Sequence, residues 1–196
     1  MRDVRLVGLA AAVLLLAGLA VYWNRAMTPH DKHFAGGMLG LPVQFDYPAV
    51  WLLQEERGTV EPYRQVRVRG QRNADDTYTC FMAVRISPVK SQGGRYHDTL
   101  ERVRALRELS ISGQTTVSDH PLRVAGLPAT EVRATLEIPA QHKPELKAIA
   151  IPVKTTTIVL QHGTNLYELQ YSCDAREYDR YANAFRRLVR SFRLLT

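Results

Sequence analysis

The chain is short of the residues on which several function classes depend. Its 196 residues include only two cysteines, too few for a cysteine-built zinc site or a small domain held together by many disulfides. It contains no Gly-x-Ser-x-Gly, no His-Glu-x-x-His and no phosphate-cradling glycine loop. The local signatures of serine hydrolases, zinc proteases and nucleotide-binding enzymes are therefore missing. The formal net charge is +7, yet the bases alternate with acids along the chain, so there is no dense cationic block to track a phosphate backbone. These absences argue against nucleic acid as a partner and lead to the expectation of no cofactor, no metal and no catalysis. The acids and bases available to an enzyme, Asp75, Asp76, His97, Asp98, Asp119 and His120, are scattered along the sequence.

What is present begins with the one long apolar run, Leu6 to Trp23, which holds no charge and no proline. As a helix its eighteen residues would span about 27 Å, close to the roughly 30 Å hydrocarbon core of a bilayer. Arg2 and Arg5 precede it, and Tyr22 and Trp23 close it with rings suited to the headgroup layer. A cleaved signal peptide would use the same arginines with Gly18 and Ala20 near the cut. The run is too long for an ordinary signal core and continues past Ala20, which favours a retained anchor. No cysteine follows it, which excludes lipid attachment through an N-terminal cysteine. Gly8 and Ala12 have the spacing that lets two membrane helices approach closely. The expected organisation is a cytoplasmic N-terminus at 1–5, a transmembrane helix at 6–23, a linker at 24–40 and one globular domain at 41–196. The domain is expected in the periplasm, or otherwise outside the cytoplasm, on the inner (cell) membrane.

The linker is marked by Pro29, Gly36, Gly37 and Gly40, with Phe34 and Met38 as candidate docking points. His30 and His33 are spaced as a metal pair would be, but a Pro/Gly-rich tether supplies neither a third ligand nor a rigid frame. Beyond it the bases outnumber the acids only mildly. Removing Arg2, Arg5, Arg25 and Asp3 leaves 23 bases against 18 acids.

From Leu41 the period is two. Val43, Phe45 and Tyr47 alternate with Gln44 and Asp46, and strands follow near 51–54, 63–69, with Val66 and Val68 against Arg67 and Arg69, and 77–86. Tyr78, Cys80, Met82, Val84 and Ile86 share one face of the last of these. The period turns helical from Asp98 to about Leu109. Short strands are expected on either side of Asp119 to Pro121, then a strand from Ala129 to Ile138 and a β run from Lys147 to Gln161. Pro152 marks that run as an edge or a bend. Leu166 to Cys173 returns antiparallel. Cys80 and Cys173 can be read as a disulfide or as two buried thiols, and sequence leaves both open.

The closing segment is a helix, expected to be capped by Asp174 with Glu177 three residues on. Tyr178, Tyr181, Ala182, Phe185, Leu188, Val189 and Phe192 form its apolar stripe. Arg176, Arg180, Arg187 and Arg190 lie opposite. They join Gly8, Ala12, Tyr22 and Trp23 as candidate partner-facing residues. Periodicity alone describes an α+β domain, an antiparallel sheet with helices packed on it.

Phe45-Asp46-Tyr47-Pro48 followed by Trp51, the turn Val124-Ala125-Gly126-Leu127-Pro128-Ala129, and Tyr167-Glu168-Leu169-Gln170-Tyr171-Ser172 leading to Ser191-Phe192-Arg193 resemble the PsbP-like family, including its DcrB-type envelope proteins. The resemblance implies an α/β/α sandwich and carries over no catalytic or cofactor residue. It also implies a non-enzymatic accessory or assembly subunit of an integral membrane protein complex, with a photosynthetic or other electron-transfer complex as one candidate. The alternative is an envelope protein that binds a small or lipidic ligand.

Overall fold

Alternating apolar residues make most of the described residues a sheet. The computed structural model describes residues 31–58, 62–89, 116–139 and 150–195. The apolar run, the first part of the linker and the expected helix at 98–109 lie outside the described residues. The chain divides into the units Met1–Asp31 and Lys32–Thr196. In chain order its elements are β1 (Asp31–Ala35), β2 (Val43–Pro48), β3 (Leu52–Arg57), β4 (Arg64–Arg72), β5 (Thr79–Pro88) and β6 (Thr116–Val124). Then come β7 (Leu127–Pro139), β8 (Ala150–His162), β9 (Asn165–Asp174), α1 (Tyr178–Ser191) and β10 (Arg193–Leu194).

Seven strands pair in the order β3-β4-β5-β9-β8-β7-β6, every pairing antiparallel. Two meanders, β3 to β5 and β6 to β9, are thus joined along the β5–β9 seam. Cys80 and Cys173 stand opposite each other on that seam, one position beyond the Phe81–Ser172 pair. They form a disulfide with Cα atoms 4.3 Å apart, linking residues 93 apart in sequence, which selects the first of the two readings the sequence left open. A second, small sheet has the order β1-β2-β10.

The core follows the alternation. Cys80, Met82, Val84 and Ile86 of β5 and Tyr167, Leu169, Tyr171 and Cys173 of β9 are buried with Val43 and Phe45 of β2. Onto them α1 lays Ala184, Phe185 and Leu188, with Phe192 just beyond its end. Each large side chain buried this way contributes about 2 kcal/mol. Trp51 enters the same core by lying against Gly70, where a Cβ would stand 2.6 Å from the indole, and by meeting Tyr181 edge-on at 5.6 Å. Among the described residues α1 is the one helix, so the sheet-and-helix half of the expected sandwich is seen.

Three expectations are corrected. Residues 31–35, read as part of a loose linker, form β1, and Phe34 stacks on Phe45 at 5.0 Å. The turn after it is held by Glu55, whose carboxylate accepts the amides of Met38 and Leu39 at 3.0 and 2.8 Å, while the Met38 side chain stays in solvent. The segments around Pro121 are one strand, β6, which can hold a proline because it is the outer strand of the sheet. Pro152 stands at a local edge of β8, as expected. It pairs with Glu137 of β7 but lies one residue past Val153–Asp174, where β9 has stopped, so no ladder bond to β9 is lost. Asp174 does not cap α1: the cap position is Glu177, which makes no side-chain capping bond. The carboxylate of Asp174 is taken up earlier, by the amide of Arg176 at 2.9 Å.

Candidate functional site

Three groups of polar side chains stand out, and their partners decide what each can do. The first lies where β9 gives way to α1. Asp174 is fully buried. It accepts from Asn73 Nδ2 at 2.6 Å and from Arg176 Nε and Nη2 at 3.0 and 2.7 Å. Arg176 also reaches Asp75 at 2.6 Å. Asn73 Oδ1 in turn accepts the amides of Thr77 and Tyr78, and Glu177 accepts the amide of Ala74. The network pins the β4–β5 loop to the start of the helix. The hydrogen bonds from Arg176 hold the Asp174 carboxyl down at about 2, against the opposing effect of burial. A buried carboxylate with this many donors is a structural anchor with no lone pair left for substrate chemistry.

The second group is aromatic. The Tyr78 hydroxyl pairs with Ser172 Oγ at 2.6 Å, Tyr171 donates to the carbonyl of Tyr178 at 2.7 Å, and Tyr178 pairs with Thr156. Burial raises all three phenols, Tyr78 to about 12. They remain protonated at neutral pH and act as hydrogen-bonding core residues, not bases.

The third group is the outer face of α1. At 100° per residue, Arg186, Asp179, Arg190, Asn183, Arg187 and Arg180 fall within a sector of about 120° opposite Phe185. All six are exposed. Asp179 is the only acid in the sector. Arg180 lies over the Tyr181 ring at 5.2 Å, and Arg186 bonds Asn183. Just past the helix, Arg193 donates to the carbonyls of Arg190 and Phe192, both at 2.7 Å, and so closes the helix end.

Of the partner-facing candidates named from sequence, Arg180, Arg187 and Arg190 share this sector. Arg176 is spent on the Asp174 network, although much of its side chain is in solvent. Gly8, Ala12, Tyr22 and Trp23 lie outside the described residues. The candidate acids and bases are not brought together: Asp75 pairs with Arg176, Asp76 with Arg72 at 2.8 Å, and His120 stands exposed on the outer strand. His97 and Asp98 lie outside the described residues, as does the side chain of Asp119. His33 pairs with Asp46 at 2.8 Å, and no group of three metal-ligating side chains occurs among the described residues. No helix among them is long and apolar enough to cross a membrane. Asn73 is the residue that sequence reading missed. An Asn opening a polar loop is common, and only the fold shows that it meets Asp174.

No family model matches the sequence, and no curated protein sequence matches it. Solved structures do. The solution structure of cyanobacterial PsbP (CyanoP) from Synechocystis sp. PCC 6803 aligns with a TM-score of 0.54 at 14% identity, covering 85% of this chain and 93% of that one. The crystal structure of LpqN, involved in cell envelope biogenesis of Mycobacterium tuberculosis, aligns with a TM-score of 0.54 at 15% identity, covering 88% and 94%. The Ran-binding protein Mog1p of Saccharomyces cerevisiae aligns with a TM-score of 0.53 at 11% identity, covering 86% and 97%. With the seven-stranded sheet, the aromatic core and the closing helix in place, this chain has the PsbP-like fold that it shares with these three proteins.

Proposed function

We propose that the protein is a non-enzymatic, single-pass accessory or assembly subunit of an integral membrane complex, with its globular domain on the non-cytoplasmic face. The observation that carries this reading is a contrast in polar groups: the buried Asp174, Asn73 and Tyr78 are taken up by internal bonds, while an arginine sector on α1 stands exposed. Such a domain offers a docking surface in place of a reaction centre. The Cys80–Cys173 disulfide fits an oxidising compartment, and the apolar run Leu6 to Trp23 fits an anchor. PsbP and LpqN, the latter involved in cell envelope biogenesis, favour accessory work in a photosynthetic complex or the envelope.

The test is extraction of native membranes in mild detergent, followed by size separation and mass spectrometry. The chain is expected to travel with integral membrane proteins. Elution as a lone monomer would overturn the proposal.

A further inference from the structure

We propose that the arginine sector of α1 is a docking face for anionic phospholipid headgroups, laid against the bilayer to which the chain is tethered. The inference rests on the membrane-anchored reading above. Three observations point to it.

The first is reach. Between Trp23 and Asp31, where β1 begins, the sequence has seven residues, a covalent span under about 30 Å at full extension. In the membrane-anchored reading that length is the upper limit on the gap between the domain and the headgroup layer.

The second is where the chain enters. β1 lies beside β2. Asp46 of β2 pairs with His33 of β1 at 2.8 Å, and its amide donates to Ser191 Oγ in the last turn of α1, also at 2.8 Å. One residue thus joins β1, the first strand of the domain, to the arginine-bearing end of the helix.

The third is the chemistry of the face. Arg180, Arg186 and Arg190 are exposed, and Asp179 is the one acid among the sector's own residues. Guanidinium groups fit phosphate oxygens in a bidentate manner. No large exposed hydrophobic side chain lies in the sector: those of the described residues are Met38, Val50, Leu52 and Leu195. Protein interfaces concentrate their binding energy in a few desolvated anchor residues near their centre. A layer of anionic headgroups needs only charge, and each arginine near it strengthens docking about fivefold. The face suits lipid better than an acidic protein.

The experiment places a spin label on Asn183→Cys, in the middle of the sector, in the full chain reconstituted into phosphatidylcholine vesicles with and without phosphatidylglycerol. Contact is read with a relaxation agent fixed to headgroups. The label is expected to reach the headgroup layer only when phosphatidylglycerol is present. It should leave at about 1 M salt, where the screening length falls to about 3 Å. In R186Q/R190Q the ratio of docked to undocked domain should fall about 25-fold. Equal contact in both lipids, or none in either, overturns the proposal. Contact seen only in native membranes, and not in protein-free vesicles of either composition, also overturns it and assigns the face to an acidic protein. If R186Q/R190Q still co-purifies with integral partners while headgroup contact is absent, the accessory-subunit reading stands and the lipid face falls.

Discussion

At the start of α1, Arg176 is gripped by Asp174 and Asp75. At the other end, Arg186, Arg187 and Arg190 point into solvent. The difference lies in what the neighbouring element brings. The N-terminal end abuts the β4–β5 loop, which supplies Asn73 and Asp75. The C-terminal end abuts β2, whose Val43 and Phe45 are buried and apolar and whose Asp46 is engaged by His33 and Ser191. Arg176 is consumed in holding the fold, whereas Arg186 and Arg190 stay exposed. Residue type alone therefore does not tell an arginine built into the fold from one left exposed; the polarity of the adjoining strand or loop does.

The comparison can be broken hardest at the disulfide, which sits one residue before Asp174 and closes the β5–β9 seam. Replacing both cysteines with alanine should cost about 4 kcal/mol, since the loop released is long. A urea denaturation midpoint, measured on oxidised wild type and on C80A/C173A, reads this directly. A loss below about 1 kcal/mol would mean that the seam is held by packing alone.

A smaller break targets the network itself. In Asp174→Asn one carboxylate oxygen becomes a donor facing Arg176 and Asn73. Because the folded carboxyl is depressed from 3.8 to about 2, its contribution is fully present above about pH 4 and disappears as pH falls toward 2. That contribution is about 2 kcal/mol. Unfolding free energy measured from neutral to acid pH should therefore drop less steeply in D174N than in wild type. Parallel curves would show that Arg176 does not hold the carboxylate.

The smallest effect sharpens the contrast from the other end. R186Q/R190Q should change stability by under about 0.5 kcal/mol, as exposed surface changes do, and calorimetric Tm is the measurement. A large fall would place these arginines in the fold beside Arg176 and remove them as a docking face.

Much of this architecture could be read from pattern alone. Alternation located the buried faces of β2, β5 and β9, and the stripe from Tyr178 to Phe192 located α1, because a side chain's direction along a strand or helix repeats with a period the sequence shows. The quoted aromatic and turn motifs pointed to the PsbP-like fold, since they mark packing positions that the fold reuses. The misreadings came where a distant segment changed the local rule. β1 was hidden by its glycine-rich turn, which becomes ordered through Glu55. Asp174 looked like a cap because its spacing to Glu177 is right, but Asn73, 101 residues away, and Arg176 claim it. Pro152, by contrast, did mark an edge, because β9 ends beside it.

The sequence by itself determined the element types, the apolar stripe and the basic face of the last helix, since each depends on the order of neighbouring residues. Tertiary structure alone decided that Cys80 meets Cys173, that Asp174 serves Asn73 and Arg176, and that Arg176 parts company with Arg186, Arg187 and Arg190. Those outcomes depend on which strands become neighbours, and pairing between residues far apart leaves no periodic trace in the chain.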